Sequence, residues 1–148
     1  MAEALAAIGG AASILSIIDV LARSIGTIND LRQEWETADF TVLDLLAQLR
    51  AIRAALAEIH RWTNGDAGLE PHHQLQMDLD DSVTWCSILA DMIDKLLSDL
   101  GCNPDEILNR SSKAKLLFAS KEMENLQKMI DRQANALNLL LSACRLYV

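Results

Sequence analysis

A chain of 148 residues with 51% of its residues in the hydrophobic class, six glycines, two prolines and few aromatics is expected to fold as one helical domain around one core. A net charge of −8 with no basic stripe excludes a nucleic-acid surface, which needs Lys and Arg to neutralise phosphates. The acidity is uneven: residues 63–108 hold ten acids against one base, residues 109–148 three acids against seven bases, so the third segment is expected to pack beside the fourth.

The first helix is expected over roughly residues 3–33. Ala4, Ala7, Ala11, Ile14, Ile18, Leu21, Ile25 and Ile28 recur in alternating steps of three and four, which places them on one helical face. No charge occurs from Ala4 to Ile18. Fifteen helical residues span about 22 Å against a hydrocarbon core of about 30 Å, too short for a permanent membrane span. A secretory signal is also excluded, because the early charge is the acidic Glu3 and not a basic run.

A polar break at Glu34–Asp39 offers Thr37 or Asp39 as the N-cap of a second helix, whose inward stripe is Val42, Leu45, Leu49, Ile52, Leu56 and Ile59. Thr63–Pro71 concentrates turn residues and reads as the main surface loop. The third helix runs to about Leu100, with Leu79, Val83, Cys86, Ala90, Ile93, Leu97 and Leu100 inward, its aspartates mostly outward and Gly101 as its stop. A short extra turn follows from Pro104 to Leu108. The last helix is expected to be capped by Ser111 or Ser112 and to carry Ala119, Met123, Leu126, Ile130, Leu137, Leu140 and Cys144 inward, interrupted by Gln133. The whole is an all-α, up-down four-helix bundle with a long apolar first helix.

Chemistry-bearing patterns are few. No P-loop, GxSxG, HExxH or GxGxxG fingerprint occurs, so an enzyme is not expected and no cofactor is implied. His72 and His73 next to Asp78, Asp80 and Asp81 suggest an oxygen-rich metal site only until their directions are considered. Adjacent helical residues point about 100° apart, so no metal site is expected. Cys86, Cys102 and Cys144 lack CxxC spacing and read as reduced core thiols of a cytosolic protein. Trp35, Trp62 and Trp85 are expected to close the ends of the core, with membrane-interface anchoring the alternative.

The first 18 residues carry the most information. Leu5, Ile8, Ala12 and Leu15 lie opposite the core stripe, so the segment is apolar on nearly every face and belongs in a core or in lipid. Small residues recur four apart as Ala2-Ala6-Gly10, Gly9-Ser13 and Ala12-Ser16, the spacing that lets apolar helices approach closely. The adjacent Gly9 and Gly10 each cost about 1 kcal/mol of helix propensity. Two readings stay open: a strut of the bundle, or a membrane-active helix that leaves the bundle and self-associates through Ala6, Gly10, Ser13 and Ser16.

The opening MAEALAAIGGAASILSIIDVLARSI, the polar break and then FTVLDLLAQLRAIRAALAEI resemble the N-terminal HeLo-like (HELL) domains that head fungal NLR-type receptors and small cell-death effectors. The similarity is strongest over residues 2–60 and architectural thereafter. It implies a single domain over residues 1–148 that permeabilises membranes in fungal immunity or heterokaryon incompatibility, related in fold to the executioner bundle of the mammalian necroptosis pseudokinase. The membrane-inserting residues of the family map onto Leu5, Ile8, Gly9, Gly10, Ile14, Leu15, Ile17 and Ile18. Its partners would be membrane lipid, further copies of itself, and an NLR-type receptor or amyloid-templating protein. Its location would be the cytoplasm, with relocation to the plasma membrane on activation. Family effectors carry an amyloid-forming C-terminal motif; this chain shows no Asn/Gly-rich tail before Val148, so a part of a longer protein is expected. The alternative from another class is an adaptor bundle that binds proteins through its helix faces and has no membrane activity.

Overall fold

The computed structural model describes the backbone of residues 10–33, 40–64, 73–99 and 114–146, and the side chains of 14–33, 40–61, 77–99, 114–143 and 145. Four long helices make up nearly all of this: α1 (Gly10–Gln33), α2 (Phe40–Asn64), α3 (His73–Ser98) and α4 (Lys121–Leu146). A single further helical turn covers residues 114–118, and no strand occurs among the described residues. The expected start of the first helix at residues 3–9, the caps Thr37 and Asp39, the stop at Gly101 and the extra turn at Pro104–Leu108 lie outside the described residues.

Each long helix is amphipathic, and the inward stripes meet in one core. The stripe expected on α2 is buried at all six positions, with Leu46 and Ala55 beside it. On α3 the expected Leu79, Val83, Cys86, Ala90, Ile93 and Leu97 are all buried, joined by Leu89. On α1 the buried set is Ile14, Ile17, Leu21, Ile25, Ile28 and Leu31, while Ile18 is only half-buried. This corrects the expected stripe at Ile18. The α-helical repeat of about 3.6 makes a strict 3-4 series drift around the helix, so the buried arc follows Ile17 and ends on Leu31.

The last helix differs from expectation at its start. Ala119 is exposed, and the chain breaks there before α4 begins at Lys121. Ser120 makes the break: its Oγ donates to the Leu117 carbonyl at 2.6 Å and accepts the Met123 N–H at 3.2 Å. Met123 is the third residue of α4, so Ser120, rather than Ser111 or Ser112, is its N-cap. Glu122 and Glu124 follow in the first turn, where the helix dipole favours acids. Beyond the cap the buried residues are Met123, Leu126, Ile130, Ala134, Leu137 and Leu141. Leu140 is half-buried against that core, so Leu141 takes the inward position expected of it.

The helices form a ring. α1 packs on α2 and α3, and α4 packs on α2 and α3. Two side-chain bonds give the direction of one pair: Gln127 Nε2 donates to the Thr41 carbonyl at 3.0 Å, and Gln48 Nε2 donates to Asp131 Oδ1 at 3.1 Å. Both join early residues of α2 to early residues of α4, so these neighbours run parallel. Residues 34–39 cannot reach back along α2, since seven residue steps cover at most about 25 Å and the helix is about 37 Å long; α1 and α2 are therefore antiparallel. The loop from Asn64 to His73 is likewise too short to return to the start of α2, which makes α3 antiparallel to α2. Directions thus alternate along the chain, while α2 and α3, consecutive in sequence, lie across the ring from each other.

Candidate functional site

The start of α1 is the segment singled out by sequence. Of its proposed lipid-facing residues, Leu5, Ile8 and Gly9 lie outside the described residues, as does Ala6 of the small-residue set. Gly10 is the first residue of α1, and Ser13 lies in its first turn with a side chain outside the described set. Ile14 is fully buried and Ile17 is 5% exposed, so both belong to the core. Ile18 packs half-buried at its edge. Leu15 faces outward at 48% exposure and Ser16 beside it is exposed. The helix therefore has an outward apolar position at Leu15 and a core-bound face beginning at Ile14. No helix among the described residues is long and apolar enough to cross a membrane.

A second surface emerges on α3 that the inward stripe had obscured. Met77, Trp85, Ile88 and Met92 are exposed by 48%, 50%, 45% and 38%. Their spacings of eight, three and four put them on one face, opposite the core stripe. The sequence carries the signal, because the same helix holds two apolar series, an inward one with Leu79, Val83 and Cys86 and an outward one with Trp85, Ile88 and Met92. Trp85 accordingly lies on the outer face and closes no end of the core, contrary to expectation. The side chains of Trp35 and Trp62 fall outside the described set.

Around this face the charge is one-sided. Residues 77–99 hold six aspartates (Asp78, Asp80, Asp81, Asp91, Asp94 and Asp99) against Lys95 alone. Asp80 departs from the expected solvated row: it is 8% exposed, and its Oδ1 is buried without a hydrogen-bond partner among the described residues. Burial, reinforced by the charge of Asp81, raises its pKa above 3.8. The native state therefore favours the protonated carboxyl. Well below pH 3.8 the residue is protonated in both states and costs nothing; as pH rises the unfolded chain ionises first, and the penalty grows until the native carboxyl has ionised too. Asp80→Asn is expected to stabilise the protein at neutral pH, read as a higher urea midpoint. The gain should vanish in urea denaturation near pH 3, and an equal gain at both pH values would refute the charge as its cause.

Among the described residues the other polar groups are a buried thiol and a few side-chain pairs between or within helices. Cys86 is a free thiol, buried in α3, and burial pushes its pKa up to about 12, which leaves it protonated and inert at neutral pH. Cys102 and Cys144 have side chains outside the described residues, as do His72 and His73. Among the described residues no group of His, Cys, Asp and Glu is placed to hold a metal ion. Asp44, Gln48 and Asp131 form a side-chain chain across α2 and α4, and Arg61 pairs with Glu58 within α2. These bonds set helix register and are solvated.

No protein-family model, curated protein or solved structure matches the chain. Two surfaces of the described residues stand out: the outward Leu15 on α1 and the outer face of α3.

Proposed function

We propose that this chain is a four-helix bundle whose apolar first helix targets and permeabilises membranes, as a cell-death effector domain of the HeLo-like kind. The feature that supports the reading is the uncharged stretch from Ala4 to Ile18, within which Leu15 stands exposed on the outer face of α1. Ordinary bundle helices alternate such a face with charges. Extending the apolar character over both faces serves a helix that exchanges its protein environment for lipid.

The buried positions define what the exchange requires. Among the described residues the buried side chains of α1 begin with Ile14. Insertion of the whole segment to Ile18 must lift Ile14 and Ile17 from the core, yet the lipid interior is as apolar as the core they leave. The cost is then the unfilled space and lost packing contacts and not their hydration. Small residues at Ala6, Gly10, Ser13 and Ser16 would let several copies pack closely in the bilayer.

Dye release from phosphatidylcholine and phosphatidylcholine–phosphatidylserine vesicles tests the reading. The wild-type chain is expected to release dye, and Gly9→Leu with Gly10→Leu to reduce release about tenfold by blocking close helix approach. Equal release by the double variant would remove the role of the glycines. Absence of release by wild type would overturn the membrane function and leave the adaptor bundle.

A further inference from the structure

We propose that the outer face of α3, centred on Trp85, Ile88 and Met92, is a docking site for a cationic amphipathic helix of a protein partner. The inference does not depend on membrane activity.

Met77 to Met92 covers about 22 Å along the helix axis; Trp85, Ile88 and Met92 form the continuous apolar part of the face, and Asp81 stands between them and Met77. A flat, linear stripe of this length matches another helix carrying apolar anchors at i, i+3, i+4 and i+7. Trp supplies a large, rigid contact area, and the two methionines supply adaptable ones. About half of four side chains, each offering on the order of 200 Å², leaves on the order of 400 Å² of apolar surface facing water. Single exposed apolar residues are ordinary, but Trp85, Ile88 and Met92 adjoin one another on one face, and such clustering marks interaction sites.

Charge decides which kind of helix fits. Asp81 lies within the stripe, four residues after Met77, and Asp91 and Asp99 are exposed beside and beyond Met92. Lys95 is the one base of residues 77–99. Acidic rims around an apolar stripe attract a helix with Lys or Arg flanking its anchors and repel an acidic one. They also repel an anionic bilayer, which sets this face apart from the start of α1.

A second copy of the chain is a poorer occupant. The patch is about half of the roughly 800 Å² per partner that a stable dimer buries. The outward side of α4 offers exposed Lys121, Lys128 and Arg132, but among the described residues Leu139 is the one large exposed hydrophobic residue along α4. It supplies charge without the apolar anchors the stripe requires.

The test uses the whole chain labelled with ¹³C-methyl methionine and a synthetic helical peptide of about five turns, with leucines at i, i+3, i+4 and i+7 and lysines elsewhere. The methyl signals of Met77 and Met92 are expected to shift on titration, while that of core-buried Met123 stays fixed. Ile88→Asp, a substitution at an exposed position, should weaken binding about tenfold. Asp81→Lys with Asp91→Lys should weaken it comparably and flatten its salt dependence. The same peptide with Glu for Lys should not bind. The proposal is overturned if the lysine peptide leaves both methyls unmoved, if the glutamate peptide binds equally, or if Ile88→Asp binds as wild type does. It is overturned too if Met77 and Met92 respond to protein concentration alone, which would assign the face to self-association, or to lipid vesicles and not to the peptide.

Discussion

Leu49→Ala is expected to destabilise the protein by about 2–5 kcal/mol, a large part of the roughly 5–15 kcal/mol that holds a domain of this size folded. Leu49 is fully buried in α2, the helix that packs on both α1 and α4. Its neighbours one turn away on either side, Leu45, Leu46 and Ile52, are buried as well, so few side chains can move to fill the space left behind. The loss therefore combines the transfer of three methyl-type carbons with an unfilled cavity. Urea denaturation followed by circular dichroism reads it directly, and the melting temperature should fall by about 2–4 °C per kcal/mol. Leu139→Ala in α4 is the matched comparison. That leucine is 73% exposed, and its truncation should change stability by less than about 0.5 kcal/mol. A loss below about 1 kcal/mol at Leu49 would show that the stripe is not packed as the structure has it.

The contrast between α2 and α4 explains which parts of the architecture the sequence could disclose. On α2 the six residues of the expected stripe are large aliphatics separated by three or four positions, and Arg50, Arg53 and Arg61 fall elsewhere; periodicity alone places Val42, Leu49 and Leu56 in the core, where they are. Val83, Ile93, Ile130 and Leu137 follow by the same rule, and α3 runs unbroken past Ala90. Around Ala119 periodicity misleads, because the apolar step from Ala119 to Met123 looks helical and the competing hydroxyl of Ser120 is a single side chain. A cap outranks the stripe there: it satisfies the Met123 N–H and the Leu117 carbonyl partner at once. The order of helices around the ring was not legible either. Short connections predict neighbours, yet α2 packs with α4 through Gln48 and Gln127, whose amides reach partners far apart in sequence. Asp80 looked like one more solvated aspartate; only the packing around it distinguishes a buried carboxylate from its exposed neighbour Asp81.

The candidate surfaces differ in the same way. Residues 1–18 stood out because an uncharged stretch is visible at any register, whereas the stripe of α3 is interrupted by Asp81 and Thr84 and gains meaning only when Trp85, Ile88 and Met92 are seen to face water. Inward series are found by regularity. Outward ones need burial.

Deleting residues 1–12 is expected to leave cooperative unfolding largely intact while abolishing membrane permeabilisation and toxicity in cells. Among the described residues the buried stripe of α1 runs from Ile14 to Leu31, and a chain beginning at Ser13 retains all of it. The alanines removed, Ala4, Ala7 and Ala11, bear one methyl group each and carry little apolar area whatever their environment. What the deletion does remove is most of the uncharged stretch that, at about 22 Å, is already shorter than the bilayer core and can act only by association of several copies. Permeabilisation by the intact chain should accordingly rise more steeply than linearly with protein concentration. Ser16→Lys separates insertion from folding in a full-length chain. Ser16 is exposed, so the folded protein accommodates the lysine, whereas a charge inside the inserting segment opposes its entry into lipid and should lower dye release. Unfolding of the deletion variant would show that residues 1–12 are structural. Undiminished leakage by a folded Ser16→Lys protein would show that α1 does not enter lipid.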